Sequence, residues 1–491
     1  MIVWGMAAGG HDAAVSVIKH GEIAFAAHAE RYSRRKNDPH LCWPMIREAF
    51  THGEPDVVVW HERPWLLRTR AAYAGQWDEV WGPGIREHLR GNGLEGAKLR
   101  TVSHHHSHAA GGYYTSGFRD AVIIVVDAIG EWDTLSIWEG RDHEVYKRAS
   151  ISYPNSLGLF YSAMTQRCGF KPNEEEYIMM GLAALGDPQR LAQQMRDDLI
   201  EVTDSWPFFK LRHNLHRGCQ WWLPEETNAA DIAAAAQHIF TTIMVSICAH
   251  ARDLVGSNNL VLSGGCALNC VTNSMLVYSS IWDRVWIMPN PGDAGNSLGA
   301  ALAYHGEHIK WPGPYLGHNI TGDYPVQRAL SVLGLGQLVG IANGRAEFGP
   351  RALGNRSLLG DPRDPDIKHK MNVAKKRESF RPFAPVIIEE LAGSYFDILG
   401  QDHSYMQYTV RCKSPDLFPG IAHVDDTSRL QTVGRQQHPG LWELFVRWYN
   451  MTECPMLVNT SLNIKGQPLV NTEADAEAFT SEYGIPVFCR D

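Results

Sequence analysis

The 491-residue sequence lacks a long hydrophobic run and an excess of positive charge, and each absence excludes a class of protein. No stretch of about 18 apolar residues occurs, so we expect no membrane span. The opening MIVWGMAAGGHDAAV is interpreted as a buried strand and a glycine loop rather than a signal peptide. A net charge of -9 argues against a global electrostatic grip on nucleic acid or an anionic membrane. We therefore expect a cytoplasmic protein with no membrane partner.

A disulfide framework is also missing from the sequence. Its nine cysteines, an odd number with no CxxC pair, indicate reduced thiols. Cys266 and Cys270 lie four residues apart in an apolar run, which favours a place in the core over metal ligation. A chain of 491 residues exceeds what one hydrophobic core supports, so we expect two or three domains.

A pattern of strand, glycine loop and hairpin occurs twice in the first third of the chain. The first copy has strands at 2–6, 13–19 and 22–27, with the loop GGHD after the first of them. The second has strands at 122–126, 134–138 and 143–147, with Asp127, Gly130 and Glu131 in its loop. Such loops bring backbone N–H groups to phosphate oxygens, as in the actin and sugar-kinase superfamily. Many other sheets contain hairpins, so the repeat alone does not select this fold.

Two later segments strengthen the prediction of an α/β nucleotide-binding domain. A helix at 229–254 precedes the strand 260–262, which runs into Ser263, Gly264, Gly265 and then Asn269. A second strand at 285–288 leads through a glycine loop into an Ala-rich helix at 296–305. After a loop-like and then helical stretch at 315–335, a new strand at 338–342 opens a second region. We predict domains at 1–325 and 326–491.

A histidine cluster, HHHSH, indicates a metal site. On a helix, His104 and His108 are separated by four residues, so both imidazoles project from one face and can chelate one divalent ion. Asp293, at a predicted helix start, is the expected third ligand, and Asp127 a possible fourth. Fe, Mn, Zn and Mg all suit such a set. A polar helix cap is the alternative interpretation of the cluster.

The second region carries eight cations in two short segments, GRAEFGPRALGNRSLLGDPR and KKRESFRPFAP. Arginine and lysine among glycines and prolines are typical of a pocket for phosphate or carboxylate. Arginines near turns are also often solvated or paired with acids. Further on, Asn459, Thr460 and Ser461 follow a predicted strand at 456–458 and offer polar donors, although a turn or helix cap explains them equally well.

The stretch WLLRTRAAYAGQWDEVWGPGIREHLR, residues 65–90, combines aromatic and basic side chains. It could line a groove for nucleic acid by stacking and phosphate contact. With a net charge of -9, we favour an amphipathic surface helix whose aromatic side is packed.

Taken together, the motifs resemble those of the nodulation- and antibiotic-type O-carbamoyltransferases along nearly the whole chain. The resemblance rests on ordered segments: GGHDAA, AERYSRRK, HHHSHAA, VVDAIGEW, MGLAALG, LSGGCALN, PGDAGNSLGAAL, GRAEFGPRALGNRSLLGDPR, KKRESFRPFAP, YMQYT, AHVDDTSRLQTV and NTSLNIKGQPLV. It implies a duplicated actin-like ATP- and metal-binding domain and a smaller α/β domain for carbamoyl phosphate. The N-terminal region is also similar to the tRNA threonylcarbamoyl-transferring enzymes.

The resemblance further implies a reaction. ATP and carbamoyl phosphate would give carbamoyl adenylate, and a protected passage would carry it to a hydroxyl acceptor. The implied carbamoyl phosphate residues are Lys375, Met406, Arg429 and Ser461, to which we add Arg345 and Arg351. The implied metal and nucleotide residues are His104, His108, Asp127, Gly130, Ser263, Gly264, Gly265, Asn269 and Asp293. The implied transfer residues are His11, Asp12 and Lys36, with His11 as the general base or, alternatively, a residue that only positions phosphate.

Three departures from the family pattern stand out. Ile178 replaces a family lysine two residues before MGL, the family's NTSFN reads NTSLN, and the chain ends early at PVFCRD. The acceptor stays open between a small molecule such as a sugar or natural product and a hydroxymethylated base such as 5-hydroxymethylcytosine in DNA. A threonylcarbamoyl-type tRNA-modifying enzyme and a noncatalytic nucleotide-gated scaffold are the rival hypotheses. A homodimer is possible by resemblance alone.

Overall fold

The computed structural model describes residues 1–491 without a gap and divides into two units. The first unit comprises Met1–Gly9, Ala14–Glu22 and Gly53–Trp311. The second comprises Gly10–Ala13, Ile23–His52 and Pro312–Asp491. These units interleave along the chain, whereas the sequence-based division near residue 325 is a single cut. That division came from a change in composition and from the new strand predicted at 338–342, and the roles assigned to its two parts stay predictions.

The N-terminal two thirds of the chain alternate strands and helices. The strands are β1 Ile2–Ala7, β2 Ala14–Lys19, β3 Glu22–His28, β4 Val57–Trp60, β5 Leu99–Thr101, β6 Asp120–Gly130, β7 Asp133–Arg141, β8 Glu144–Ser152, β9 Ile200–Val202, β10 Phe209–Leu211, β11 Asn259–Ser263 and β12 Arg284–Trp286. The helices are α1 Ala29–Ser33, α2 Trp43–Thr51, α3 Pro64–Tyr73, α4 Trp77–Val80, α5 Ile85–Leu89, α6 His104–Ser116, α7 Leu157–Arg167, α8 Glu176–Leu182, α9 Ala192–Asp198, α10 Ala229–Val255, α11 Cys270–Tyr278 and α12 Asn296–His305.

The predicted duplication is confirmed by the strand order of two five-stranded sheets. One sheet has the order β3-β2-β1-β4-β5 and the other, read in the same sense, β8-β7-β6-β11-β12. In each, the central strand pairs antiparallel with the strand that follows it and parallel with a later strand. The central strands β1 and β6 are almost wholly buried, as their apolar runs require.

A glycine contact sets how α6 and α12 cross in the first unit. A Cβ on Gly299 would lie 2.0 Å from the carbonyl oxygen of Ser107, and one on Gly111 would lie 3.1 Å from the Cα of Gly299. Only glycine permits two helix backbones to approach so closely. The crossing brings the N-terminal turns of both helices together, where α6 carries the histidines and Asp293 precedes α12.

The predicted helix at 229–254 is confirmed as α10. By length and composition alone α10 could cross a membrane, but most of it is buried inside the protein, as in the core helix of a globular unit. All nine cysteines are free. Cys270 is buried as expected for a core position, whereas Cys266 is only partly buried.

The C-terminal part of the chain forms a smaller α/β unit. Its strands are β13 Tyr315–Ile320, β14 Val339–Ala342, β15 Gly344–Glu347, β16 Arg356–Gly360, β17 Ala384–Ile388, β18 Thr409–Arg411, β19 Thr427–Arg429, β20 Gln431–Val433, β21 Met456–Ser461 and β22 Val487–Phe488. Its helices are α13 Val326–Leu333, α14 Ile367–Lys375, α15 Glu389–Tyr395, α16 Pro439–Thr452 and α17 Glu473–Tyr483. Six strands form a mixed sheet of order β20-β17-β21-β16-β14-β22, whose core includes Val458 and Phe445.

Three sequence-based expectations were wrong. The stretch 315–335 begins with the strand β13 rather than a loop. Thr460 and Ser461 lie within β21, not after it. Residues 65–90 form α3, α4 and α5 instead of one amphipathic helix, because Gly75 takes a φ of +72° and the segment Gly82-Pro83-Gly84 interrupts the chain again. Their aromatic side chains are not packed as expected, since Trp65, Tyr73, Trp77 and Trp81 are exposed.

Candidate metal and substrate sites

Two of the clustered histidines and two aspartates meet in the first unit, and we call His104, His108, Asp127 and Asp293 the donor quartet. The Nε2 atoms of His104 and His108 lie 3.2 Å apart. Asp127 Oδ2 lies 3.3 and 3.0 Å from these two nitrogens, and Asp293 Oδ1 lies 3.3 Å from each. The intervening histidines point elsewhere: His105 Nδ1 lies 2.7 Å from the hydroxyl of Ser136, and the His106 ring stacks on that of Trp138. The four-residue spacing therefore selects the two imidazoles, as predicted.

Asp127 is held by its own strand and by the start of α7. It lies near the end of β6, where the pairing with β7 shifts register between Val126 and Gly130. The hydroxyl of Ser156 donates to the carbonyl of Ala128 at 2.7 Å. A Cβ on Gly158 would lie 2.6 Å from the carbonyl oxygen of Asp127. Close helix packing thus fixes the backbone that presents this carboxylate.

The charges of the donor quartet are mutually dependent. Burial alone would lower the pKa of His104, but the carboxylates of Asp293 and Asp127 outweigh it and raise that pKa well above 6.5. His108 follows the same pattern through hydrogen bonds to the same two carboxylates. Burial and Asp293 would raise the pKa of Asp127, yet the two imidazoles lower it below its ordinary value. The quartet is therefore an electrostatic site in which positive charge is favoured.

The quartet fits a divalent metal ion. Its four ligand atoms lie within 4.8 Å of one another. Donors that bind one ion at about 2.0–2.2 Å stand about 3.0–3.5 Å apart in tetrahedral or octahedral geometry, and the measured separations fall in that range. Two imidazole nitrogens with two carboxylate oxygens suit Fe, Mn or Zn, and the structure does not distinguish them.

Sequence analysis missed two residues beside the quartet, His61 and Glu62. One ligand atom each of His61, Glu62 and His104 lie within 4.8 Å of one another. The buried Nδ1 of His104 has no hydrogen-bond partner. Metal-bound imidazoles usually donate their second N–H to a carboxylate, a carbonyl or water, and Glu62 is a nearby carboxylate. Burial raises the pKa of Glu62 to about 7 despite the proximity of His104. No sequence pattern marks these residues, because they follow the end of β4 and approach the cluster only through the fold.

The predicted nucleotide loop lies against the donor quartet. Gly264 has a φ of +91°, and a Cβ there would lie 2.2 Å from the carbonyl oxygen of Val126. A Cβ on Gly265 would lie 3.2 Å from Asp127 Oδ1. Both glycines are therefore required for the loop to approach Asp127. Ser263 ends β11 and is buried, and Gly130 packs so tightly that a Cβ would lie 2.4 Å from the His104 ring.

Asn269 has a structural task in this loop. Its side chain accepts a hydrogen bond of 3.0 Å from the backbone of Thr272 and so caps α11. The same amide pairs with Gln237 through two hydrogen bonds of 3.0 and 3.2 Å. Ile178, which replaces a family lysine, is fully buried in α8, so an apolar side chain suits that position.

In the second unit, Lys375 lies at the centre of a group that we call the lysine cluster, with Arg377, Ser461 and Asn463. The ammonium is fully buried and donates to the carbonyl of Ser461. Its Nζ lies 2.8 Å from the carbonyl oxygen of Asn463 and 3.1 Å from that residue's side-chain oxygen. Arg377 donates to the hydroxyl of Ser461 at 3.3 Å. Burial, then Arg377 and Arg381, lowers the pKa of Lys375 well below its ordinary value.

The other predicted carbamoyl phosphate residues have different surroundings. Met406 is buried with a φ of +57°, an uncommon conformation for a residue other than glycine. Arg429 ends β19, and Arg351 is partly exposed in the loop 348–355. Arg345 makes its contacts elsewhere, donating to the carbonyls of Ala24, Leu316 and Gly317.

His11, Asp12 and Lys36 belong to the N-terminal segments of the second unit. His11 Nδ1 and Asp12 Oδ2 are 2.9 Å apart, and the side chains are 48% and 29% exposed. Lys36 donates to Glu30 at 3.0 Å. Burial alone would raise the pKa of Glu30, but Lys36 and Arg31 lower it to about 2. The imidazole of His11 is thus oriented by a carboxylate, as a base that receives a proton requires.

Comparisons with known proteins find family matches in both the N-terminal and the C-terminal part of the chain. Residues 76–302 match the family description Carbamoyltransferase N-terminus, and residues 331–489 match Carbamoyltransferase C-terminus. The uncharacterized protein sll1178 of Synechocystis is 31% identical, with 96% of this chain and 93% of that protein aligned. Nodulation protein U of Sinorhizobium fredii is 33% identical over 95% of this chain and 94% of its own. Nodulation protein NolO of Bradyrhizobium diazoefficiens is 33% identical over 76% and 75%.

Proposed function

The chain belongs to the carbamoyltransferase family, and from this premise we propose that it is an ATP-dependent O-carbamoyltransferase that works through carbamoyl adenylate. One observation carries the proposal: the donor quartet and the glycine loop of Gly264 and Gly265 meet around Asp127. A metal-type cluster beside backbone glycines is suited to a nucleotide triphosphate and its cation. The C-terminal family match favours carbamoyl transfer over threonylcarbamoyl transfer to tRNA.

The proposed reaction has three balanced steps. Carbamoyl phosphate and water give carbamate and phosphate. A carbamate oxygen then attacks the α-phosphorus of ATP, the bond to the β-phosphate oxygen breaks, and pyrophosphate leaves. Finally the acceptor hydroxyl attacks the carbamoyl carbon, which yields the O-carbamoyl product, AMP and a proton. Carbamate and its adenylate both decompose in water, so exclusion of water is the property such a site needs most.

In the first unit, the proposed task of the residues is to hold and neutralise phosphate oxygens. His104, His108, Asp127 and Asp293 would bind the divalent ion, which supplies Lewis-acid stabilisation of the charge that develops at phosphorus. The N–H groups around Gly264 and Gly265 can approach phosphate oxygens because no Cβ intervenes. Ser263 and Asn269 would position the nucleoside end.

In the second unit, the lysine cluster would bind the phosphate of carbamoyl phosphate. A buried ammonium and a guanidinium are the strongest partners for a dianion in a dry site. The cluster has no carboxylate partner for Lys375: its Nζ contacts carbonyl, hydroxyl and amide oxygens only. Phosphate binding would therefore complete its charge balance. Met406, Arg429 and Arg351 are proposed to complete the pocket.

His11 is proposed to take the proton of the acceptor hydroxyl. Its contact with Asp12 orients the ring and stabilises the imidazolium that forms. Lys36 is proposed to contact the intermediate.

The proposal is tested by incubating the protein with ATP, carbamoyl phosphate, one divalent metal and a panel of alcohols. Mass spectrometry should detect a carbamoylated acceptor together with AMP, both dependent on the metal. Formation of ADP in place of AMP would contradict the adenylate route. Absence of any nucleotide product would contradict the ATP requirement.

A further inference from the structure

The first unit has a recess for which neither the donor quartet nor the nucleotide loop accounts. Its volume is about 460 Å³, within the range for small-molecule sites. Its lining contains one cation and no carboxylate: Ala74, Gln76, Tyr153, Asn214, His216 and Arg217. We call this cavity the aromatic recess, because aromatic rings form its edge.

Three rings stand together at the edge of the aromatic recess. Tyr73, at the end of α3, is 67% exposed, with its ring centroid 5.4 Å from that of Trp132. The ring of Tyr73 also meets that of Tyr153 edge to face at 6.2 Å. Trp132 is fixed by a hydrogen bond of 3.0 Å from its indole nitrogen to Thr69. An exposed, fixed ring surface of this kind is suited to stacking with another ring.

The polar lining suits uncharged hydroxyl, amide or ring nitrogen groups. Asn214 donates to the hydroxyl of Tyr153 at 2.7 Å, and His216 lies 3.4 Å from the same oxygen. Burial and the charge of Arg70 lower the pKa of His216, which keeps its imidazole neutral and able both to donate and to accept. Specific recognition of a neutral ligand needs such a mixture of donors and acceptors.

Three arginines of the stretch 65–90 hold the fold rather than follow a phosphate backbone. Arg68 donates to the carbonyl of Gly82 at 3.1 Å, and Arg70 pairs with Glu79 at 3.0 Å. Arg86 donates to the carbonyls of two residues at 2.7 and 3.1 Å. Single-strand and duplex binding both depend on arginines and lysines that reach phosphates. The surface therefore favours a small neutral ligand over a polynucleotide.

Trp132, at the edge of the recess, is close in sequence to Gly130, which packs against the proposed metal site. Gly130 packs on the ring of His104, and Trp132 is two residues further along the chain, within about 7 Å in an extended chain. Glu131, between them, accepts a hydrogen bond of 2.5 Å from the backbone of Arg63, which directly precedes α3. The same short segment thus contacts a metal-type ligand and supports the stacking surface.

We propose that the aromatic recess is the acceptor subsite and that the acceptor is a neutral alcohol borne on a ring, stacked on Tyr73 and Trp132. Asn214, His216 and Arg217 hydrogen-bond the polar groups of that ring. This assignment rests on the proposed carbamoyltransferase function and specifies its acceptor class.

The test compares Tyr73→Ala with Tyr146→Ala in the full-length protein. Tyr146 is also an exposed tyrosine, but it lies near the N-terminal end of β8, where it pairs with Glu139, whereas Tyr153 of the recess follows the C-terminal end. The acceptors are methyl glucoside and 5-hydroxymethyl-2′-deoxycytidine as ring alcohols, propane-1,2-diol as a ring-free alcohol, and duplex DNA containing 5-hydroxymethylcytosine. Tyr73→Ala should raise KM for a ring alcohol about tenfold with little change in kcat, since stacking on one aromatic ring contributes on this scale. Tyr146→Ala should leave both unchanged.

A second measurement separates this assignment from the proposed function. Carbamoyl-phosphate-dependent exchange of labelled pyrophosphate into ATP reports adenylate formation without any acceptor, and Tyr73→Ala should not alter it. If the unsubstituted protein shows no such exchange, the proposed function itself is overturned. With exchange intact, the assignment of the recess is overturned by an unchanged KM in Tyr73→Ala, by equal use of propane-1,2-diol, or by the absence of any ring-alcohol product. Carbamoylation of duplex DNA alone, with a steep dependence on salt, would identify a polynucleotide acceptor instead.

Discussion

The donor quartet of the first unit and the lysine cluster of the second are both built around buried charged side chains, yet their electrostatic preferences are opposite. The quartet sets two carboxylates against two imidazoles, so positive charge stabilises it. The lysine cluster sets an ammonium and a guanidinium among neutral oxygens, so negative charge stabilises it. A chain with a net charge of -9 thus places a cluster that favours positive charge and a cluster that favours negative charge in separate units. We therefore expect that substitutions can disable the two proposed sites independently.

The largest effect is expected from His108→Ala. Loss of one imidazole leaves two carboxylates and one imidazole, so bound metal, measured by elemental analysis, should fall below one equivalent. Carbamoyl transfer should fall on the order of 1,000-fold or more, above the 10–100-fold typical of groups that only support a ligand. His106→Gln is the matched control in the same helix, because His106 stacks on Trp138 outside the quartet. Full metal content in His108→Ala would show that the quartet is not the metal site.

Lys375→Met tests the lysine cluster of the second unit. Removal of the buried ammonium should lower carbamoyl-phosphate-dependent pyrophosphate exchange by roughly 100-fold, the scale for a preorganised charge contact. Metal content and ATP binding, measured by calorimetry, should stay unchanged because they belong to the first unit. Lys370→Met, in the same helix α14 but exposed and paired with Asp364, is the control. An equal loss of ATP binding in Lys375→Met would mean that the two sites do not act independently.

A smaller effect, on stability alone, is expected at Glu347. One oxygen of this buried carboxylate accepts hydrogen bonds from the backbones of Leu353, Asn355 and Arg356 at 2.7, 2.9 and 3.2 Å. Glu347→Ala leaves these N–H groups without their acceptor and should destabilise the protein by roughly 3 kcal/mol. Glu347→Gln keeps an acceptor oxygen and should restore most of that loss. Urea unfolding measures both, and equal destabilisation would show that charge rather than hydrogen bonding matters there.

The buried histidines of the second unit and the two imidazoles of the donor quartet should respond oppositely to acid. In the second unit, burial lowers the pKa of His28, His403 and His438 from 6.5 to about 4. Because the unfolded chain binds protons first, their contribution to stability falls as pH drops from about 7 to 4, by up to about 3 kcal/mol for each fully buried ring.

In metal-free protein the donor quartet has the opposite sign. The pKa of His104 and of His108 is raised, so their contribution is complete below pH 6.5 and is lost as pH rises through the folded pKa. Urea unfolding of chelated protein between pH 4 and 8 should therefore show a flatter dependence than the His108→Ala variant, which retains only part of the compensating effect. A steeper dependence in the intact quartet would contradict this sign.

Much of the fold followed from periodicity and from turn residues. The helix predicted at 296–305 has the bounds of α12, because an apolar Ala-rich segment follows a glycine loop and ends at Gly306. The four-residue spacing of His104 and His108 predicted which imidazoles converge. Asp293 was expected from its place in a glycine loop at a predicted helix start and from the family resemblance. Its distance from His104 depends on the glycine contact between α6 and α12, which has no local signature.

Sequence reasoning overestimated what a count of cations reveals. Arg356 is fully buried and donates to backbone carbonyls, including those of Asn343 and Asn471, and Arg345 likewise serves the fold. An arginine that supports a loop and one that binds a ligand have the same local composition, so only tertiary contacts separate them. The prediction of a single helix for the aromatic stretch 65–90 was wrong for a simpler reason. Its glycines and Pro83 were visible, but aromatic content was given more weight than chain breakers.

The interleaved second unit has a consequence for synthesis of the chain on the ribosome. Residues 23–52 contact later segments, as when Glu48 meets His318 at 2.9 Å and Arg31 donates to the carbonyl of Gly349 at 2.9 Å. The whole stretch Gly53–Trp311 is translated in between, which at about 5–20 residues per second takes tens of seconds. During that interval the early segments lack their contacts with residues 312–491, although β3 can already pair with β2. Chaperone dependence and a slow final stage of maturation are therefore expected of this unit, and a fragment beginning at residue 312 would lack part of its own core.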